Sequence, residues 1–147
     1  MRIALVTGGF DPIHSGHIQL LREAGKLGDI VVVGLNSDDW LKRKKGAAFM
    51  SQGERMTIVR HLHMVHSTLS FDDRDDTACD AIALALKKWP DYIIRFCNGG
   101  DRIASNTPEF ETYKDHPRVQ FRWDVGGDKV QSSSDLLARW ENRHAGK

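Results

Sequence analysis

Five short apolar runs, each separated from the next by an amphipathic or polar stretch, limit what this chain can fold into. Ile3–Val6, Ile30–Leu35, Thr68–Phe71, Tyr92–Cys97 and Val119–Val125 are the strand candidates. Ile30–Leu35 reads IVVVGL without polar alternation, the pattern of a parallel strand covered on both faces. Helical patterns run from Ser15 to about Lys26, Ser51 to about Val65, Asp76 to Lys88, and Ser132 to about Arg143. In the first, Ile18, Leu21 and Leu27 keep one side apolar while Gln19, Arg22 and Lys26 lie elsewhere. Ser51 followed by Glu54 is a capping-box signature, and Pro90 blocks helix continuation before the fourth strand. Residues 36–46 and 102–117 read as polar connections.

Strand and helix in alternation mean an α/β fold, with helices on both faces of a parallel sheet. The expectation is a single doubly wound, Rossmann-like domain over residues 1–147, with a five-stranded parallel sheet. In such sheets a ligand sits beyond the carboxyl ends of the strands, at the switch in strand order. That rule selects the loops after the first, second, fourth and fifth strands.

Composition removes several classes of function. With 21 Lys and Arg against 20 Asp and Glu, the formal charge is +1, so any basic surface is local. Coating nucleic acid through bulk charge is excluded as a reading. Apolar runs such as Ala81–Leu86 fall far short of the ~20 residues of a membrane span, and the first 30 residues show no signal-peptide pattern. Cys79 and Cys97 form no CxxC pair and have no histidine at zinc spacing. Two reduced thiols in a cytoplasmic protein is the expectation.

The first strand runs into Gly8-Gly9-Phe10-Asp11-Pro12-Ile13-His14-Ser15-Gly16-His17. The paired glycines allow close backbone approach to a ligand, and a helix N-terminus offers free N–H groups and a positive dipole end suited to phosphate. His14 and His17 project from one face of that first turn and can donate to phosphate oxygens as charge grows in a transition state. A metal pair lacks an obvious third ligand, so no metal site is assigned here. Plain surface histidines are the other alternative. The GxGxxG fingerprint and the GxxxxGK[ST] loop are both absent.

GGFDPIHSGH resembles the HxGH signature of the nucleotidylyltransferase superfamily, which is cytidylyltransferase-like in fold. HIQLLREAGKLGDIVVVGLNSDDWLKRKKG is similar to glycerol-3-phosphate cytidylyltransferases and to the adenylyltransferase domain of ADP-heptose synthesis. SQGERMTIVRHL, NGGDR and SSSDLLAR resemble that family's second-helix segment, its GGD turn and its terminal serine motif. The resemblance implies transfer of an NMP from an NTP to a phosphorylated sugar, polyol or alcohol, with release of pyrophosphate. Magnesium would come with the NTP.

The same resemblance assigns residues. His14, His17, Lys44 and Lys45 would be catalytic. Gly8, Gly9, Phe10, Asp11 and Gly16 would line the nucleotide, Gly99, Gly100 and Asp101 would meet base and ribose, and Ser132, Ser133 and Ser134 the β- and γ-phosphates. Lys42 and Arg55 would contact phosphate or acceptor. Each has a plainer reading: a solvated basic run at Lys42–Lys45, an exposed helix ion pair at Arg55, a turn at Gly99-Gly100, an N-cap among the serines. Asp72, Asp73, Asp75 and Asp76 lack calcium-loop spacing and read as a solvated acidic loop, and the four tryptophans as packing.

ATP is favoured over CTP. Gly127-Asp128-Lys129-Val130-Gln131-Ser132 stands where cytidylyltransferases carry RTEGIS, while Asn36–Asp38, the GGD turn and the serine triplet look like adenylyltransferase relatives. A non-catalytic nucleotide sensor is the alternative, opposed by the intact His14 and His17. A redox dinucleotide domain is opposed by the glycine spacing. Trp40, Phe49 and Met50 flank the basic run, and an apolar patch there points to an isologous homodimer.

Overall fold

The computed structural model describes residues 1–100, 102–127 and 132–145. Its strands are β1 (Arg2–Gly8), β2 (Ile30–Leu35), β3 (Ser67–Ser70), β4 (Ile93–Cys97) and β5 (Val119–Arg122). Among the described residues, the helices are α1 (Ser15–Ala24), α2 (Asp38–Lys45), α3 (Gln52–Arg60), α4 (Cys79–Lys88), α5 (Pro108–Tyr113) and α6 (Ser133–Ala145), with a 3-10 turn at Ala104–Asn106. All five strands are parallel, in the order β3-β2-β1-β4-β5. The expected α/β class and five-stranded sheet are therefore found.

Side chains of β1 alternate between two separate cores, as pleating requires. Ile3 and Leu5 join Ile82, Ala85 and Phe96 beneath α4, with Phe110 and Tyr113 of α5 at the margin. Ala4 and Val6 join Leu21, Ala24, Val33 and Val59 beneath α1 and α3. Leu5 sits in register with Val32 on one side and Phe96 on the other, so the central strand is sealed laterally as well. Burying each such aliphatic side chain contributes about 1.5–3 kcal/mol. The chain winds outward from β1 to β3, returns across the sheet, and winds outward again through β4 and β5. The switch point lies between the carboxyl ends of β1 and β4.

Two polar stretches are more ordered than their composition suggests. Residues 38–45 form a helix although Leu41 is its single buried residue. Its ends carry it: the Ser37 hydroxyl accepts from the Trp40 N–H at 3.0 Å, and Asp38 and Asp39 occupy the first turn. Lys42, Arg43, Lys44 and Lys45 fill the last turn against the negative dipole end, and Gly46 closes it at φ 88°. Residues 108–113 form α5, with Pro108 at its start where a missing N–H costs nothing.

Boundaries also move. The helix expected to reach Val65 stops at Arg60, and the one expected from Asp76 starts at Cys79, because Asp76 takes a left-handed φ of 63°. The last strand ends at Arg122, short of Asp124 at φ 57°.

Candidate active site

A cleft of about 580 Å³ opens along the carboxyl edge of the sheet, at the switch point. That size lies within the ~300–1,000 Å³ typical of small-molecule sites. Its floor is the turn after β1, where Phe10 adopts φ 53° and tucks its ring to 3% exposure. The Phe10 ring lies 4.7 Å from that of His17.

The two histidines form a reciprocal cap at the start of α1. His14 Nδ1 accepts the Gly16 N–H at 3.1 Å, and His17 Nδ1 accepts the His14 N–H at 3.1 Å. Their rings meet at a tilt of 30° with centroids 3.9 Å apart. An Nδ1 that accepts a hydrogen bond carries no proton, so each neutral ring carries its proton on Nε2. Both histidines line the cleft. Local backbone bonding thus fixes the tautomer that can donate to a phosphate oxygen.

Asp11 lies outside the cleft lining. At 2% exposure its carboxylate accepts the Phe49 N–H at 2.6 Å and the Met50 N–H at 2.8 Å, tying the glycine turn to the loop before α3. Arg55 also lies outside the cleft lining. It is 1% exposed, so its ion pair with the half-exposed Asp38 starts from a buried guanidinium and not from an exposed helix face. Its Nε donates to the Met50 carbonyl at 3.0 Å, Nη1 to the Gly9 and Asn36 carbonyls at 2.8 Å each, and Nη2 to Asp38 at 2.7 Å. Its donors are thus committed to holding together the loops that carry Gly9, Asn36 and Met50.

The basic run separates into different surroundings. Lys45 lines the cleft. Lys44 lies 3.9 Å from Asp76 and over the Trp40 ring at 6.0 Å, and Lys42 is exposed on α2. Neither Lys42 nor Lys44 is part of the lining.

Gly99 and Gly100 follow β4 and line the cleft, Gly100 at φ 60°. A Cβ on Gly99 would stand 3.2 Å from the Val125 carbonyl, so the turn packs backbone against backbone here. Asp101 and residues 128–131 lie outside the described residues. Ser132, Ser133 and Ser134 also line the cleft. The Ser132 hydroxyl accepts the Asp135 N–H at 3.3 Å as a cap, and Ser133, 8% exposed, donates to the Pro12 carbonyl at 2.8 Å. That bond fastens the start of α6 to the histidine loop.

The acidic loop after β3 is solvated at Asp72, Asp75 and Asp76, but not at Asp73. Asp73 is 3% exposed and accepts from Asn36 Nδ2 at 3.1 Å, the Ser37 N–H at 2.7 Å and the Ser37 hydroxyl at 2.7 Å. Asp76 faces Arg43 at 3.0 Å, and Asp72 pairs with Arg74, whose guanidinium holds its carboxyl down at about 2. Among the described residues, no three His, Cys, Asp or Glu side chains gather as a metal-binding group. Trp40, read as packing, lines the cleft, as do Asn36, Asn98, Arg102 and Glu109. Asn36 and Asn98 sit directly after β2 and β4, and that position was the signal available for them.

The cleft presents donors at two helix starts with glycine turns between them, an arrangement suited to phosphate groups. The chain belongs to the cytidylyltransferase-like family, whose model matches residues 5–119. Among curated proteins it is 34% identical to bifunctional protein HldE of Helicobacter pylori over 145 residues, which covers 97% of this chain and 28% of that protein. HldE of Campylobacter jejuni is 36% identical over 105 residues, covering 70% of this chain and 22% of that one. The chain thus spans under a third of the length of these relatives.

Solved structures share the fold. A lipopolysaccharide core biosynthesis protein from Thermoplasma volcanium superposes with a TM-score of 0.65 at 23% identity, covering 84% of this chain and 94% of that one. A putative nicotinate-nucleotide adenylyltransferase from Vibrio parahaemolyticus gives 0.65 at 14%, covering 97% and 89%.

Proposed function

We propose that the chain transfers a nucleotidyl group from an NTP, ATP in preference to CTP, to the phosphate of a sugar, polyol or other alcohol. The observation that carries this reading is the reciprocal cap of His14 and His17 within the cleft. An oxygen of the acceptor phosphate attacks the α-phosphorus in line. The bond from that phosphorus to the α–β bridging oxygen breaks, and pyrophosphate leaves with the bonding electrons. No covalent protein intermediate is needed.

Catalysis is then placement and charge stabilisation. Nε2–H of His14 and His17 donates to phosphate oxygens whose charge grows in the transition state. The start of α6, with Ser132, Ser133 and Ser134, receives the departing β- and γ-phosphates on a positive dipole end. Lys45 adds a cation at the cleft wall. Magnesium would come with the triphosphate and offset its charge, while the carboxylates of the cleft lining, Asp76 and Glu109, are held by Arg43 and Arg102.

The resemblance to the adenylyltransferase domain of ADP-heptose synthesis, and the likeness to HldE, support ATP and a sugar phosphate. Pyrophosphate release across four NTPs and a panel of phosphorylated acceptors tests the reading. Release with one pair establishes it. Tight NTP binding without release for any acceptor overturns it in favour of a nucleotide sensor.

A cytoplasmic setting and a homodimer belong to the same proposal. No helix of the described residues is long and apolar enough to cross a membrane. Of the three residues read as an apolar patch, Trp40 turns into the cleft and Met50 is half-buried, leaving Phe49 at 59% exposure. Light scattering at micromolar concentration decides the assembly, and a mass near 16.6 kDa refutes the dimer.

A further inference from the structure

The cleft crosses the edge of the sheet from one face to the other, and its two ends differ in chemistry. On the α1 side its lining includes Gln19, Leu20 and Gly126, with Gln19 Nε2 donating to the Gly126 carbonyl at 2.7 Å. On the α4–α5 side the lining includes Asp76, Thr77, Arg102 and Glu109. Glu109 is 3% exposed. A carboxylate that deep persists only where donors meet it. Two do: the Ala78 N–H at 3.1 Å, and Arg102 Nη2 at 3.2 Å from Oε2 and 3.4 Å from Oε1.

Arg102 has a second hold. Its Nε donates to the Thr107 hydroxyl at 3.3 Å, and that hydroxyl, 1% exposed as a residue, donates on to the Ile103 carbonyl at 2.7 Å. One edge of the guanidinium is thus fixed by interior groups, while the side chain keeps 42% exposure and faces the cleft. Nη1 has no hydrogen-bond partner among the described residues. A planar guanidinium pinned along one edge presents its remaining donors in a fixed direction, the arrangement that matches a phosphate or carboxylate. Asp76, the other carboxylate of the lining, is already held by Arg43 at 3.0 Å and Lys44 at 3.9 Å.

We propose that Arg102, set by Glu109 and Thr107, recognises the acceptor as an anion, taking the oxygens of its phosphate that do not attack. This rests on the nucleotidyl-transfer reading. The triphosphate is served by the starts of α1 and α6, so the cation of the α4–α5 side is left for the second substrate. Glu109 is a positioning residue, which acts by holding Arg102.

The test uses Arg102→Ala, Arg102→Lys, Glu109→Gln and the pair Arg102→Ala with Glu109→Gln. The pair leaves no unpaired buried carboxylate, and it keeps the Ala78 bond, so it covers a failure of Arg102→Ala to fold. With an acceptor that supports pyrophosphate release, Arg102→Ala and the pair raise the acceptor KM roughly 10- to 100-fold. The Lys and Gln variants raise it less. KM for the NTP and kcat at saturating acceptor stay within about threefold, as loss of uniform acceptor binding requires. An unchanged acceptor KM, or an equal rise in the NTP KM, overturns the proposal.

A binding arm separates this inference from the transfer reading. Inorganic phosphate, glycerol 3-phosphate and glucose 1-phosphate are titrated into protein saturated with a non-hydrolysable ATP analogue. Loss of phosphate-probe binding in the pair, with the analogue still bound, supports Arg102 even where no acceptor turns over. Equal binding in wild type and the pair, or no probe bound by wild type, overturns it.

Discussion

The imidazole of His17 caps the helix that His14 begins: its Nδ1 accepts the His14 backbone N–H at 3.1 Å. The same two rings therefore have a structural edge and a catalytic edge. His14→Asn separates them, because an Asn side chain caps a helix well but has no Nε2–H at imidazole reach. Its kcat is expected to fall about 10²- to 10³-fold, the loss typical of one donor to a developing charge, with a much smaller change in NTP affinity. Its melting midpoint should stay close to wild type, whereas His14→Ala also loses about 1 kcal/mol of capping. Retained kcat with weakened NTP binding would mean the pair serves the ground state only.

Arg55 predicts a stability effect rather than a binding effect. Its guanidinium bonds the Met50, Gly9 and Asn36 carbonyls; Arg55→Met would strip the half-buried Met50 and Gly9 carbonyls of this donor and leave the Asn36 carbonyl only Gln52 Nε2 at 3.4 Å. Each orphaned group costs about 1–3 kcal/mol, so a loss of about 3 kcal/mol or more is expected in urea unfolding. Arg55→Lys should recover little, since one ammonium cannot span the three loops that a forked guanidinium does. A variant as stable as wild type, but with a raised KM for a phosphorylated substrate, would restore Arg55 as a direct ligand.

What the sequence disclosed follows the range of the interactions. The strands are legible because burial on both faces demands apolar runs such as Ile30–Leu35, and the glycine turn because Gly8, Gly9, His14 and His17 are adjacent. The α2 helix is hidden because its stability lies in its caps and charges rather than in an apolar stripe. Asp73 at Ser37, and Glu109 of α5 at Ala78, join segments more than 30 positions apart. Nothing local in a DDRDD run tells which carboxylate is buried. Arg55 was visible as a motif residue, yet its burial depends on where Gly9 and Asn36 come together.

For the basic run, the geometry ranks the lysines. Lys45→Ala should raise the KM for a phosphorylated substrate and weaken the dependence of activity on salt, because it removes a cation from the cleft wall. Lys42→Ala, on the exposed side of α2, should leave both near wild type. Kinetics under 50 and 300 mM salt make the comparison. Equal effects of the two substitutions would assign the run a diffuse attraction with no particular contact.

The two thiols should differ sharply in reactivity. Cys97 ends β4 at 4% exposure, and burial pushes its thiol up to about 12 despite the nearby Arg122 and Arg95. At pH 8 it is therefore almost wholly protonated, and the thiol form is a poor nucleophile. Cys79 is half-buried at the start of α4. Iodoacetamide on native protein should label Cys79 and spare Cys97 until urea unfolds the chain, as read by peptide mass spectrometry. The sign for stability follows from the raised value. An unfolded thiol titrates near ~8.5, so the folded state holds its proton more tightly above that pH. The contribution is complete below about 8.5 and is lost progressively as pH rises toward about 12. Cys97→Ala should accordingly show a shallower alkaline fall in melting temperature than wild type. Parallel curves, or labelling of both thiols at one rate, would mean that Cys97 is open to solvent in the native protein.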